Sequence, residues 1–266
     1  MRFTKPAVSV AAAVIASLGL TAYHQQSHPD ASSDAGSRLA AQDAAGTTSG
    51  PARAASAALA EKSATTARPG VLPRLPGLGP KTLAAVPADA RQVVLVTGTG
   101  RDSSTSKVVL YQRVDGGWRP GAVWAAHNAD KGWTDHHEAG DLRSPIGVFG
   151  LSDAGGLLAD PGSRLPYDRS GAFTVNGTGF DGESLAGSFD YVIAINYNRQ
   201  PGTSPLDGTR PLGGARGGGI WLHVDHGGPT HGCVSISRTH MKQLLRALDP
   251  ASHPVVVMGD AASLAR

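Results

Sequence analysis

GIWLHVDHGGPTHGCVSIS, running from Gly219 to Ser237, holds Cys233, the single cysteine in a chain of 266 residues. Two short alternating runs flank a turn-rich middle. In the first, Ile220, Leu222 and Val224 fall on one face and Trp221, His223 and Asp225 on the other, as the two-residue period of a strand dictates. In the second, Val234 and Ile236 share a face opposite Cys233, Ser235 and Ser237. Between them, His226-Gly227-Gly228-Pro229-Thr230 has the glycines and proline of a reversal, which predicts two antiparallel strands joined by a five-residue loop. In that hairpin Asp225 opposes His231, Val224 opposes Gly232 and His223 opposes Cys233, with facing β-carbons roughly 4.5 to 5.5 Å apart.

A thiol beside an imidazole is a nucleophile with its base in place, because the ring takes the proton and leaves the reactive thiolate. Gly232 has a separate use. Without a β-carbon it lets the backbone N–H groups of Gly232 and Cys233 turn towards a developing oxyanion. These residue types imply acyl transfer through a thioester.

The same residues resemble the active-site motif of the L,D-transpeptidases, the YkuD family, in which a strand histidine precedes a Ser/Thr-His-Gly-Cys sequence. Here the motif is Thr230-His231-Gly232-Cys233, with His223 as the strand histidine. A second segment, Gly140-Asp141-Leu142-Arg143-Ser144-Pro145-Ile146-Gly147-Val148-Phe149, is similar to the family's G-D-x-x-(T/S)-P-x-G-x-F sequence. Two departures stand out. Ser235 occupies a position where many members carry Arg or Asn, and the ten-residue step from His223 to Cys233 is short for the family, which implies an abbreviated loop over the site.

Composition bounds the rest. A net charge of +3 is too small to argue for nucleic acid, and no basic cluster with interleaved aromatics supports it; it suits an anionic cell wall, whose polymers are a further expected partner. Met1 to Lys5 is a basic start, and the uncharged, Ala- and Val-rich run from Pro6 to Ala22 predicts a secretory signal peptide over 1–22, with an uncleaved membrane anchor as the alternative. An exported chain with one cysteine forms no internal disulfide, so the thiol reads as reactive rather than as an inert core residue. Residues 23–88, dominated by Ala, Ser, Thr, Gly and Pro, offer too little apolar pattern to offset ordering entropy and read as a disordered tether.

The folded part is expected over 89–262. Strand patterns lie at 92–97, 106–113, 117–124, 146–151, 189–197 and 254–258, the run 189–197 neighbouring the His223 strand. Met241, Leu244, Leu245 and Leu248 repeat at helical spacing between Ser237 as N-cap and Pro250 as stop, with His240 expected at the exposed face. Residues 152–188 and 198–219 read as long Gly-rich loops, the first lining a groove and the second a lid. His136-His137-Glu138 reads as an exposed loop bordering the cleft, since adjacent residues of an extended chain point to opposite sides and do not both ligate one ion. Short strands, one convincing helix and long loops make a mostly β domain.

The resemblance implies more: a β-sandwich, a monomer, no cofactor and no bound metal. It also implies that Cys233, deprotonated by His223, attacks the carbonyl of the third residue of a peptidoglycan stem tetrapeptide, with a neighbouring stem's amine resolving the thioester into a cross-link. His231 is assigned a supporting role, and Ser235 and Asn196 are assigned to substrate binding. Three rivals stay open at this point. Water instead of an amine gives an L,D-carboxypeptidase. A zinc-dependent wall peptidase would use His223, His226, His231 and Cys233 as ligands, since zinc accepts both nitrogen and sulfur. A non-enzymatic wall-binding module would keep its ligand without the thiol.

Overall fold

The structure is a computed structural model that describes residues 70–266, so the signal-peptide reading of 1–22 and the tether reading of 23–69 lie outside the described residues. The strands are β1 (Gln92–Gly98), β2 (Thr105–Val114), β3 (Gly117–His127), β4 (Trp133–Thr134), β5 (Ser144–Pro145), β6 (Gly147–Gly150), β7 (Ala154–Gly156), β8 (Tyr167–Arg169), β9 (Val192–Ala194), β10 (Trp221–Val224), β11 (Val234–Ile236) and β12 (Val255–Asp260). Helices α1 (Pro80–Ala85), α2 (Arg238–Ala247) and α3 (Ala261–Leu264) complete the set. The fold is mostly β, as the sequence predicts. Ten strands join one curled sheet in the order β6-β12-β1-β2-β3-β11-β10-β9-β7-β8, and β4 pairs with β5 apart from it.

Both faces of the sheet's middle are covered, and the alternation of β1 shows how. Val94 and Val96 point into a core with Leu222, Val224, Val234 and Ile236, which α2 closes through Met241, Leu244 and Leu245. Val93 and Leu95 point the other way, into a second core with Leu75, Trp118, Val257 and Leu264. The helix forms where its pattern predicts it: Ser237 Oγ accepts from the His240 N–H at 3.3 Å, and Met241, Leu244 and Leu245 are fully buried. Each such side chain contributes on the order of 1.5 to 3 kcal/mol of burial, so α2 braces the two strands that carry the site. His240 departs from expectation by stacking on Trp124, ring centroids 4.8 Å apart.

Two further expectations need correction. The first is the hairpin. β10 and β11 run parallel, with Leu222 opposite Val234, His223 opposite Ser235 and Val224 opposite Ile236. The reason lies in the intervening residues, which find partners elsewhere instead of turning back on themselves. Thr230 exchanges backbone hydrogen bonds with Asn128 and Asp130 at 3.0 and 2.9 Å, and His226 Nδ1 meets Glu183 Oε1 at 2.9 Å. The loop thus carries the chain back to its starting level before β11 begins, between β10 and β3.

The second correction is the boundary at 88. Leu72 exchanges two backbone hydrogen bonds with Trp118, at 2.8 and 2.7 Å, and Leu75 is 3% exposed in the second core. Spaced leucines among prolines give no helical or strand period, yet each drops into the apolar face left open by β1 and β12. Leu75→Ala should therefore cost about 2 to 5 kcal/mol in denaturant unfolding, whereas a tether residue would cost nothing measurable.

Candidate active site

Cys233 sits immediately before β11, and the parallel register sets it level with Trp221 at the start of β10. The Trp221 N–H donates to Sγ at 3.4 Å, and the thiol reaches the Gly219 carbonyl oxygen at 3.6 Å. Registered neighbours project to the same side of a sheet, so Cys233 and His223 share the face opposite the buried Leu222 and Val234. They are diagonal neighbours, on the order of 7 to 8 Å apart at the β-carbons. That is a looser arrangement than direct opposition.

His223 is 3% exposed and its tautomer is fixed. Nδ1 lies 2.9 Å from the Val224 carbonyl oxygen, which only accepts, so Nδ1 carries the hydrogen and Nε2 keeps its lone pair. The Phe189 ring meets it edge-on at 5.5 Å and the His226 ring stacks on it at 5.8 Å. Burial lowers its pKa to about 4 against the raising effect of the Val224 carbonyl. Burial also pushes the Cys233 thiol up to about 11, only partly offset by the Trp221 N–H. The resting pair is therefore neutral thiol and neutral imidazole rather than a preformed ion pair.

The segment around Glu183 roofs the 226–231 loop. Glu183 Oε1 receives His226, and a β-carbon at Gly228 would lie 2.3 Å from that oxygen. Burial by itself would raise the Glu183 carboxyl, but N–H groups of Glu183 and Asp181 together with His226 hold it below the usual range. Phe180 tilts over the exposed His231 with ring centroids 4.7 Å apart, which leaves His231 at the rim. Among the described residues no group of three or more His, Cys, Asp or Glu is placed to hold a metal ion. The 11° angle between the stacked rings of His223 and His226 explains part of this, since parallel rings do not converge their nitrogens on one point.

The second motif packs directly against the cysteine. Ser144 Oγ accepts from the Ala129 N–H at 3.1 Å and donates to the Cys233 carbonyl oxygen at 3.3 Å, where Thr230 Oγ1 also donates at 2.7 Å. A β-carbon at Gly232 would come within 2.9 Å of Ile220 Cδ1 and 3.7 Å of His137 Cε1, so only glycine fits without displacement. His137 is the residue that sequence reasoning placed wrongly. It is buried against Tyr197 and faces Asp141 at 3.0 Å, while His136 remains exposed. Its neighbour in sequence gave no sign of which ring turns inward.

Two residues assigned to substrate have other occupations. Ser235 is fully buried and donates to Asp225 Oδ1 at 2.8 Å, the same oxygen that His127 Nδ1 meets at 2.8 Å. It holds Asp225 in place and presents nothing to a ligand. Burial tends to raise the Asp225 carboxyl, but His127, Ser235 and the Gly227 N–H outweigh it and lower the pKa. Asn196 bonds Ser152 at 3.0 Å and accepts from Arg199 at 2.6 Å. It lines a cavity of about 740 Å3 with Leu151, Leu165 and Val255, to which neither Cys233 nor His223 contributes.

Residues 137–257 match the family model of the L,D-transpeptidase catalytic domain, YkuD. That segment is similar to the YkuD-type L,D-transpeptidase domain. It contains both motifs and strands β6 to β11, while β1 to β3, which flank β11 and β12 in the sheet, lie before it. The chain is also similar to a solved structure, that of Bdellovibrio bacteriovorus Bd1075, at 18% identity and a TM-score of 0.35 over 64% of this chain and 48% of that one. The chain thus spans about half the length of that protein. No curated protein matches the chain.

The neutral pair has two measurable consequences. Iodoacetamide, which needs the thiolate, should alkylate Cys233 at a rate still climbing about tenfold per pH unit between pH 8 and 10, with no plateau near the ordinary thiol range. His223 titrates near 6.5 when unfolded and about 4 when buried, so between those values the unfolded chain binds the extra proton. Stability must then fall as pH drops through that window, by up to about 3 kcal/mol, and the slope should be missing in His223→Gln unfolding curves.

Proposed function

We propose that this protein is a cysteine-dependent peptidoglycan L,D-transpeptidase. The observation that supports the reading most is the placement of one thiol and one buried imidazole with a free Nε2 on the same face of adjacent strands, inside a segment similar to the YkuD-type domain.

In this mechanism the donor is a stem tetrapeptide. As Sγ closes on the carbonyl carbon of the third residue, its proton passes to His223 Nε2, so the thiolate exists only along the reaction path. The carbonyl oxygen gains the negative charge and is met by backbone N–H groups of Gly232 and Cys233. The Gly232 N–H has only a long contact of 3.3 Å to Thr230 Oγ1 to give up. Collapse re-forms the carbonyl and breaks the C–N bond, and the His223 proton leaves on the terminal D-amino acid's nitrogen. A side-chain amine of a second stem then attacks the thioester. It returns a proton through His223 and restores the thiol as the cross-link forms. His231 shapes the rim beside Phe180 rather than moving protons. Such a substrate lies outside the membrane, so export, as read from 1–22, belongs to the proposal.

Incubation with a stem tetrapeptide, or with a carbapenem as a covalent probe, should add one acyl group to Cys233 in intact-mass spectra. Cys233→Ala should show none, and His223→Gln should acylate 10²- to 10⁴-fold more slowly. An adduct that survives in Cys233→Ala, or none on the wild type, overturns the reading. With an amine acceptor present the expected product is cross-linked peptide; tripeptide alone would replace transpeptidation with hydrolysis.

A further inference from the structure

Ser235 stands between two imidazoles. It is in register with His223 of β10 on one side and with His127 of β3 on the other. Registered neighbours project to the same side of a sheet, so both rings lie on the face that carries Cys233, two residues before that serine. Diagonal neighbours of this kind are roughly 7 to 8 Å apart at the β-carbons. The thiol thus has a histidine diagonally placed on each flank, and the acyl transfer described above uses only His223.

The two rings are held differently. His223 gives Nδ1 to a main-chain carbonyl and is 3% exposed. His127 Nδ1 meets Asp225 Oδ1 at 2.8 Å, and because a carboxylate oxygen only accepts, Nδ1 carries the hydrogen. The buried Ser235 holds that same oxygen through its own 2.8 Å bond. Asp225 lies past Ser235 along the sheet and Cys233 lies before it, so a ring that turns Nδ1 to Asp225 turns its opposite edge, with Nε2, to the cysteine side. Nε2 makes no hydrogen bond among the described residues. The His127 and Asp225 side chains are 29% and 25% exposed, which makes them the part of this face that meets water.

Cross-link formation needs such an outlet. A side-chain amine is an ammonium ion at neutral pH and carries three protons, whereas the amide nitrogen it becomes keeps one. Of the two that leave, one restores the thiol through His223. We infer that His127, oriented by Asp225, removes the other. Nε2 takes a proton from the acceptor ammonium, and the freed lone pair attacks the thioester carbon. The C–N bond forms, the C–S bond breaks, and His127 passes its proton to solvent. Asp225 is the positioning residue of the pair, and its carboxylate adds negative charge on the side where the ammonium arrives.

The inference rests on the acyl-transfer reading and is tested on the acyl-enzyme with two acceptors. N-acetyl-lysine is an ammonium ion at neutral pH and must lose both protons; hydroxylamine is already neutral there and loses only the one that returns through His223. His127→Asn keeps an N–H for Asp225 and has no basic nitrogen. It should slow transfer to N-acetyl-lysine by about 10²- to 10⁴-fold and transfer to hydroxylamine by less than about threefold. Its N-acetyl-lysine rate should then climb about tenfold per pH unit above neutrality, as solvent takes over the deprotonation. Asp225→Asn, which leaves the ring without its anchor, should shift the ratio of the two rates in the same direction. That ratio is read within one protein, so partial misfolding leaves it untouched. Equal losses on both acceptors, as a purely structural pair would give, or a wild type that uses hydroxylamine and not N-acetyl-lysine, overturns the role of His127 alone. A wild type that forms no acyl-enzyme overturns the acyl-transfer reading and this inference with it.

Discussion

The parallel pairing of β10 with β11 is the constraint on which the rest of the molecule depends. Parallel neighbours cannot be joined by a tight turn, so the nine residues between them must travel out and back. They do so by binding partners distant in sequence, at Asn128, Asp130 and Glu183. The return delivers Cys233 to the start of β10, beside Trp221 and Gly219, where an antiparallel hairpin would have delivered it to the level of His223. Sulfur and imidazole then lie on one face of adjacent strands, with the sulfur at the level of Trp221, two residues before His223 along β10.

Burial of that strand decides its electrostatics. β10 lies between β9 and β11 with Leu222 in the core, and the same enclosure that fixes the ring of His223 removes water from it. An imidazole under Phe189 and His226 does not hold a charge readily, and neither does a thiol whose neighbours are a backbone N–H and a carbonyl. On the proposed acyl-transfer reading, geometry rather than a standing charge makes the pair reactive. On that reading substrate supplies the charge separation, and the neutral ground state costs less desolvation than an ion pair would.

Much of this was legible in the sequence, and the failures have a common cause. Apolar runs located β1, β2, β3 and β12, period-two alternation located β10, and helical spacing between Ser237 and Pro250 located α2, because each element buries its side chains in a characteristic pattern. The face shared by Cys233 and His223 was legible for the same reason. The pairing direction was not: glycine and proline announce a reversal, but whether two strands meet directly depends on what the loop finds elsewhere. Leu72 and Leu75 carry no period and dock singly, so composition alone made them look like linker. His136 and His137 are indistinguishable until Tyr197 and Asp141 claim one of them. The role of Ser235 followed the same logic, since its partner Asp225 is ten residues away and the serine itself is wholly enclosed.

The raised thiol of Cys233 carries a consequence for the protein's lifetime. Peroxide attacks the thiolate and not the protonated form, and thiol exchange has the same requirement. A thiol whose pKa is raised to about 11 spends almost no time, near neutral pH, in the state that oxidants capture. A cysteine kept in this condition resists conversion to sulfenic acid and resists mixed disulfides. A raised pKa thus trades thiolate population for durability towards oxidants.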